Sequence, residues 1–293
     1  MFIAIDIGGT NTRIGASKDG RRLYAIEKFK TPKKFADGIK AISRTVLHAT
    51  KGQSLKSIVI AVPGPIDHPR GKVLHLPNLP GWRNKPITKV LTRHLNCKVL
   101  LINDADAAGL GEARRGAGRG YTRVAYFTIS TGIGGALIIN DFLPLLKGEI
   151  KRGSKCPHPL TISAEPGHQI LIPGGRRDNC GQRGCFEAYA SGTGFYKTYG
   201  VRPENCKNKK IWAKHAQTVG WGLINTIVHW SPDIVVIGGG LAQAGTLLFT
   251  PLRAYVRKNL KIFKPPLIVP SKLGDDAGLY GCLELLKGSK NFS

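Results

Sequence analysis

The segment Asp6-Ile-Gly-Gly-Thr-Asn-Thr-Arg13 sets an acid at the end of an apolar run, followed by two glycines and two hydroxyl side chains. Paired glycines let backbone N–H groups approach phosphate oxygens, hydroxyls add donors, and an acid such as Asp6 can hold Mg²⁺ through water. Taken alone, the segment reads equally well as a plain hairpin turn. Recurrence separates the two readings. Ser130-Thr-Gly-Ile-Gly-Gly135 is a second loop of this kind, and Ile237-Gly-Gly-Gly-Leu241 is a third glycine cluster directly after an apolar run. A nucleotide with its phosphates between two hairpin loops and its base on a third would use all three.

Working outward from the first loop, Phe2 to Ile7, Arg13 to Ser17 and Leu23 to Phe29 read as the strands of an antiparallel meander. Phe35, Ile39, Ile42 and Val46 recur at helical spacing, and the buried-type strand Ser57 to Val62 ends in Pro63-Gly64-Pro65. A helix over Ile87 to Leu95, a strand over Lys98 to Ile102 and an alanine-rich helix from Ala105 complete a βββαβαβ order. After Arg123 the pattern begins again. Val124 to Ser130 and Ala136 to Ile139 flank the second glycine turn, and helices over Ile211 to Trp230 and Leu247 to Leu260 flank the strand Ile234 to Ile237. The echo implies two related α/β halves with a cleft between them. The expected division is a small N-terminal α/β domain, 1–104 plus 276–293, closed by the amphipathic helix Ala277 to Leu286, and a larger α/β domain, 105–275. Lys147 to Ser163, rich in Lys, Gly and Pro, reads as a long loop.

Composition bounds the partners. A chain of 293 residues with 42% hydrophobic and 21% charged content is an ordinary globular protein. Lys+Arg 44 against Asp+Glu 18 gives a formal charge of +26, which raises nucleic acid or polyanion binding. The basic residues are dispersed and no aromatic stacking motif accompanies them, so the expectation is a cationic solvated surface with no specific nucleic-acid site. The start lacks a basic lead and carries Asp6 within its first apolar stretch, unlike a secretory signal, and no apolar run approaches the ~20 residues of a membrane helix. A cytoplasmic protein with no membrane partner is expected. Six cysteines in that setting point to free thiols or a metal site rather than a disulfide scaffold.

Between the glycine loops sits Leu101-Ile-Asn103-Asp104-Ala-Asp106, an acid at the carboxyl end of an expected parallel strand, where ligands of open α/β sheets gather. Phosphoryl transfer to a hydroxyl uses a base beside the attacking oxygen, and a carboxylate is the usual choice in kinases. The alternative is that Asp104 only caps the following helix. Further on, Glu165-Pro-Gly-His168 stands ten residues before Asp178-Asn-Cys180-Gly-Gln-Arg-Gly-Cys185-Phe-Glu187.

These two elements resemble the signature of the ROK family (repressor, open reading frame, kinase), Glu-x-Gly-His followed by Cys-x-Cys-Gly-x-x-Gly-Cys-x-Glu. The three glycine clusters resemble those of the actin-like ATPase superfamily of sugar kinases. The resemblance runs from Met1 to about Leu285 and includes Val62-Pro-Gly-Pro65 and Leu76-Pro-Asn-Leu-Pro-Gly-Trp82. It implies an α/β, two-domain actin-like ATPase (ribonuclease H-like) fold with an active-site cleft between the domains, closing to exclude water. It also implies an ATP- and Mg²⁺-dependent hexokinase or glucokinase acting on the 6-hydroxyl of a hexose, and a homodimer. Asp104 would be the base, with Asn78, Asn103, Glu165, His168 and Glu187 orienting the sugar. Gly8, Gly9, Thr10, Asn11, Thr131, Gly132 and Gly134 would hold phosphates, Asp6 would meet the magnesium through water, and Gly239 would lie near the base of the nucleotide. His168, Asp178, Cys180 and Cys185 would bind a structural zinc, Asp178 standing where the family has cysteine; carboxylate is itself a zinc ligand. Glucose is the expected sugar, with fructose, mannose, N-acetylhexosamines or a polyphosphate donor as alternatives. The family's DNA-binding repressors place a helix-turn-helix before the first phosphate loop. Here that loop begins at Asp6, so a kinase is expected, with a sugar-responsive DNA-binding repressor as the less favoured alternative.

Overall fold

The computed structural model describes residues 1–74, 76, 79–140 and 160–288. The chain forms two compact units, one of Met1–Gly111 with the C-terminal segment from Asp276, the other of Glu112–Asp275. The first holds β1 (Phe2–Ile7), β2 (Asn11–Ser17), β3 (Ala25–Lys30), α1 (Phe35–Thr50), β4 (Ser57–Val62), the short pair β5 (Ile66–Asp67) and β6 (Lys72–Val73), α2 (Ile87–Leu95), β7 (Lys98–Asn103) and most of α3 (Asp104–Arg115). The second holds β8 (Arg123–Ile129), β9 (Ile133–Ile139), β10 (Leu160–Ala164), α4 (Phe186–Ala190), α5 (Gly192–Tyr199), α6 (Lys209–Trp230), β11 (Ile234–Gly238), α7 (Thr246–Asn259) and β12 (Leu267–Pro270). Helix α8 (Ala277–Gly288) returns the chain to the first unit.

Each unit is built on a five-stranded sheet, ordered β3-β2-β1-β4-β7 in one and β10-β9-β8-β11-β12 in the other. The senses repeat as well: two antiparallel pairings, then two parallel ones. Strands of parallel pairs are covered on both faces and read as apolar runs. β4 (SIVIAV) and β11 (IVVIG) are buried at every residue, and β1 at every residue but Asp6. Edge strand β3 instead alternates half-buried and exposed positions, as one covered face requires.

In the first unit Ile3, Ile5, Ile58 and Ile60 point toward α1, α2 and Trp82, while Phe2, Ala4, Val59 and Ala61 meet Leu279, Leu283 and Leu286 of α8. In the second unit Phe127, Val235 and Ile237 pack with Phe186, Phe195, Trp212 and Leu223 of the helical layer.

The resemblance in strand order extends to β10, which corrects the reading of Lys147 to Ser163 as one loop. Leu160–Ala164 pairs antiparallel with β9, from Leu160↔Ile139 to Ala164↔Gly135, as β3 pairs with β2. Its exposed Leu160, Ile162 and Ser163 lack the strict alternation that signals a strand, and only the partner strand reveals it. Residues 147–159 of that stretch lie outside the described residues. Smaller corrections follow the same logic: β3 begins at Ala25 rather than Leu23, β9 at Ile133 rather than Ala136, and α3 at Asp104 rather than Ala105. Among the described residues no helix is long and apolar enough to cross a membrane.

Helices α3 and α8 touch backbone to backbone. A Cβ on Gly281 would run into the carbonyl of Ala107, and one on Gly111 into the carbonyl of Ala277. Gly281→Ala must push the helices apart, so despite the better helix propensity of alanine it is expected to cost about 1–3 kcal/mol, the scale of core overpacking. The check is the urea unfolding midpoint; an unchanged or raised midpoint would contradict the close crossing.

Candidate active site

In the first unit the register aligns Asp6 with Ala61 and Val62 with Asn103. Asp6, the Pro63-Gly64 turn and Asn103-Asp104 therefore share the carboxyl edge of the parallel strands, the edge at which such sheets collect ligands. The first glycine loop is a tight hairpin: Gly8 N–H donates to Asn11 O at 2.9 Å. It is tethered from β3's end, where Thr31 Oγ1 donates to Gly8 O at 2.7 Å, Thr31 N–H to Thr10 O at 2.9 Å and Lys33 Nζ to Gly9 O at 3.2 Å.

The helix cap beside this edge is Asn103, not Asp104. Its Oδ1 accepts from Ala105 N–H at 2.8 Å and Asp106 N–H at 3.2 Å, and its Nδ2 donates to Gly64 O at 3.2 Å. The amide thus fastens α3 to the Pro63-Gly64 turn, with one N–H left in its donor inventory. Asp104 follows as the first helical residue, its Oδ1 accepting from Ala105 N–H at 2.8 Å. Burial, reinforced by the like charge of Asp106 and opposed by the Ala105 N–H, pushes the Asp104 carboxyl up to about 6.

In the second unit, the loop after β8 is held from outside. Gly192 N–H donates to Ser130 O at 2.7 Å, Thr193 Oγ1 to Thr131 O at 2.9 Å, and Ile133 N–H to Glu187 Oε2 at 2.5 Å. A Cβ on Gly132 would strike the Glu187 carboxylate, so a larger residue there would displace the carboxylate from Ile133 N–H. Burial raises the Glu187 carboxyl from its ordinary value, partly offset by the Ile133 N–H. Gly134 lies inside β9, opposite Thr128. Gly239 has φ +82, and a Cβ there would meet the backbone of Ile129 at 2.5–2.8 Å. The second and third glycine clusters border one cavity of ≈ 720 Å³, reached by Ser130, Thr131 and Gly240, with Trp212, Leu241 and Leu247 as apolar wall and Arg202, Glu204, Lys207 and Gln243 as polar lining. Apolar walls with a few placed polar groups suit a small organic ligand.

A compact knuckle precedes α4. Glu165 is exposed after β10, and a 3₁₀ turn carries His168. Gly181 and Gly184 have positive φ, and Ile170↔Cys185 and Arg177↔Arg183 bridge the segment. Ligand atoms of His168, Asp178, Cys180 and Cys185 all lie within 4.8 Å of one another. The two Sγ atoms are 3.6 Å apart, too far for a disulfide and close to the about 3.8 Å edge of a zinc–thiolate tetrahedron. His168 Nδ1 and Asp178 Oδ2 stand 3.0 Å apart, yet they are not oriented for a hydrogen bond, and each is a buried atom without another partner. Two such atoms beside two thiol sulfurs, all within 4.8 Å of one another, fit a metal. Burial, with Cys180 and Asp178 alongside, pushes the Cys185 thiol up to about 12, so metal binding there must release a proton.

Apart from Thr131 and the glycine cluster ending at Leu241, sequence reasoning missed the cavity lining, most of which is drawn from positions 192–247 with no local motif to announce it. It also missed buried Glu112, whose carboxylate accepts from Ser271 Oγ, Leu273 N–H and Ala117 N–H. Asn78 lies outside the described residues.

The sequence profile of the ROK family matches residues 2–289. The chain belongs to the ROK family. A glucokinase of Thermotoga maritima is 33% identical over 98% of this chain and 97% of its own length. An N-acetyl-D-glucosamine kinase of Escherichia coli is 31% identical over 96% of this chain and 97% of its own. A ROK family glucokinase from Streptomyces griseus, solved in complex with glucose and AMPPNP, superposes with a TM-score of 0.77 at 28% identity, covering 97% of this chain and 98% of that chain. The repeated five-stranded sheets are thus the actin-like ATPase fold in its ROK sugar-kinase form.

The Glu187–Ile133 bond is the interaction here most open to test. Glu187→Ala leaves a half-buried N–H without its acceptor and is expected to lower stability by about 1–3 kcal/mol. The urea unfolding midpoint reads it, and an unshifted midpoint would show that the loop is not held this way.

Proposed function

We propose that this chain is an ATP-dependent glucokinase that moves the γ-phosphoryl of MgATP onto the 6-hydroxyl of glucose. The observation that carries the reading is Asp104: a carboxylate raised to about 6 by burial, at the carboxyl edge of a parallel sheet, in a ROK chain with sugar-kinase relatives. A base with that affinity takes a proton readily and is still ionised at neutral pH.

In this reading Asp104 accepts the proton of the sugar 6-hydroxyl as its oxygen forms a bond to the γ-phosphorus. The bond to the bridging oxygen breaks and ADP departs. Asn103 holds Asp104 at the helix start and offers its remaining N–H to the sugar, while Asn78, Glu165, His168 and Glu187 orient the other hydroxyls. Gly8, Gly9, Thr10, Asn11, Thr131, Gly132 and Gly134 would line the phosphates, and Asp6 would hold the Mg²⁺ that offsets their charge. Gly239 and the ≈ 720 Å³ cavity beside it take the nucleoside. An apolar wall of Trp212, Leu241 and Leu247 has no use in binding polyphosphate, which favours ATP as donor. Glucose is favoured over an N-acetylhexosamine by the Leu76 to Trp82 segment that resembles glucokinase-like members. A homodimer working in the cytoplasm at the entry to glycolysis completes the proposal.

His168, Asp178, Cys180 and Cys185 would hold one structural zinc per subunit, supported by two unpartnered buried ligand atoms and by the sulfur separation. Bound zinc supplies fixed positive charge that ionises the thiols. The chain's part is to present the other nitrogen of His168 to the sugar in a set orientation.

Two experiments test these assignments. Initial rates with glucose, fructose, mannose and N-acetylglucosamine, against ATP and polyphosphate, should give the highest kcat/KM for glucose with ATP. In the same assay Asp104→Asn should lose at least ~10²-fold in turnover. The wild-type log(kcat/KM) should rise with pH through about 6 and level above it, because only the ionised carboxylate takes the proton. Retention of half the wild-type rate by Asp104→Asn, or a profile flat across that window, rejects the role. Elemental analysis of protein purified without chelators should find about one zinc per chain, and Cys180→Ser should lose the metal and raise KM for sugar more than for ATP. Absence of metal together with unchanged sugar KM in Cys180→Ser rejects the metal site.

A further inference from the structure

Between α7 and β12 the chain turns through Arg257-Lys-Asn-Leu-Lys-Ile-Phe-Lys-Pro-Pro-Leu267. Leu260 and Ile268 are buried at 4% exposure each and anchor the two ends, while between them Ile262 is 72% exposed, Phe263 40% and Leu267 55%. Pro265 and Pro266 fix two φ angles in the turn, so these apolar side chains are presented outward on a stiff tip. Arg257, Lys258, Lys261 and Lys264 are all exposed around them. No acidic residue occurs between Asp233 and Asp275, so the segment itself offers these cations no carboxylate. Arg253 is engaged differently, donating to Ile268 O at 2.7 Å at the base of the turn.

We propose that this turn docks reversibly on an anionic lipid surface. An apolar tip ringed by ammonium and guanidinium groups matches the bilayer interface. Ile262, Phe263 and Leu267 enter the boundary between headgroups and acyl chains, and the cations remain among the anionic headgroups. A nucleic acid would engage the cations but offers nothing to the aliphatic Ile262 and Leu267. A second copy of the chain in a symmetric contact would set these four cations against four more. The sequence-based expectation of no membrane partner rested on the absence of a spanning segment, and surface docking needs none.

The test is sedimentation of the full chain with vesicles of neutral phosphatidylcholine alone or with about 30 mol% phosphatidylglycerol, in ~0.15 M salt. The anionic vesicles should bind at least about 10-fold more tightly, and binding should weaken as salt rises. Ile262→Ser with Phe263→Ser, which leaves the charge unchanged, should reduce binding about 5-fold or more, and Lys258→Gln with Lys261→Gln and Lys264→Gln at least as much. Both variants should keep the wild-type unfolding midpoint and sugar-kinase rate. Phe263→Trp supplies an independent reading: its added emission should shift to the blue with anionic vesicles and be quenched by brominated acyl chains. Equal binding to neutral and anionic vesicles, unchanged binding of the double serine variant, or added emission in Phe263→Trp that ignores the lipid overturns the proposal. So does binding to duplex DNA that needs Ile262 and Phe263 as much as vesicle binding does.

Discussion

Burial of the central parallel strands on both faces is the constraint from which the candidate site follows. Polar side chains inside β1, β4, β8 or β11 would lose water on either side without a partner, so their interiors are aliphatic or aromatic up to Asp6 and Thr128, one residue before the carboxyl ends of β1 and β8. Polar chemistry is pushed to the strand ends. Asp6, Gly64, Asn103 and Asp104 collect at the carboxyl edge of one sheet, and Ser130, Thr131 and Gly239 at the corresponding edge of the other. The shared strand order makes this placement twofold, and each sheet contributes a glycine hairpin between its first two strands.

Within the larger unit, one short helix links the remaining parts. Cys185 leads into α4, Phe186 N–H donates to Gln169 O at 2.8 Å beside His168, and Glu187 one residue later holds Ile133 N–H. The knuckle and the glycine loop are therefore coupled through a handful of bonds. A change in the position of Cys185 is carried by the first turn of α4 to the carboxylate that shapes the loop. A metal held at the knuckle would have through this coupling a physical route to the loop, without needing to touch any reactant.

Acidic residues are scarce in this chain, 18 against 44 lysines and arginines, and several serve as backbone acceptors. Asp19 accepts from Arg21 and Arg22 N–H, Asp67 from Arg70 N–H, Asp233 from Arg123 N–H and Glu112 from two backbone donors. The remainder are unevenly spread along the chain, and the stretch 234–274 contains basic residues but no acidic one. Asp104 and Asp106 lie two residues apart at the start of α3, where burial, together with the like charge of Asp106, raises the Asp104 carboxyl.

What the sequence determined by itself was whatever depends on neighbours along the chain. The three glycine clusters, the apolar runs β1, β4 and β11, the helical spacing of α1 and the knuckle with Cys180 and Cys185 five residues apart are local patterns, and each stands where it was expected. The tertiary structure decided what depends on residues far apart in the chain. Strand β10 exists because β9 supplies its hydrogen bonds, and the cavity wall gathers Trp212, Leu241 and Leu247 from three separate elements. Asn103, rather than Asp104, is the cap because Gly64, 39 residues earlier, fixes its amide. Glycine at 281 answers to a carbonyl on α3, and Ile262 is exposed because its buried neighbours anchor only the ends of its turn. Periodicity records the face a residue turns to its own element; it carries no information on which distant backbone or side chain that face will meet.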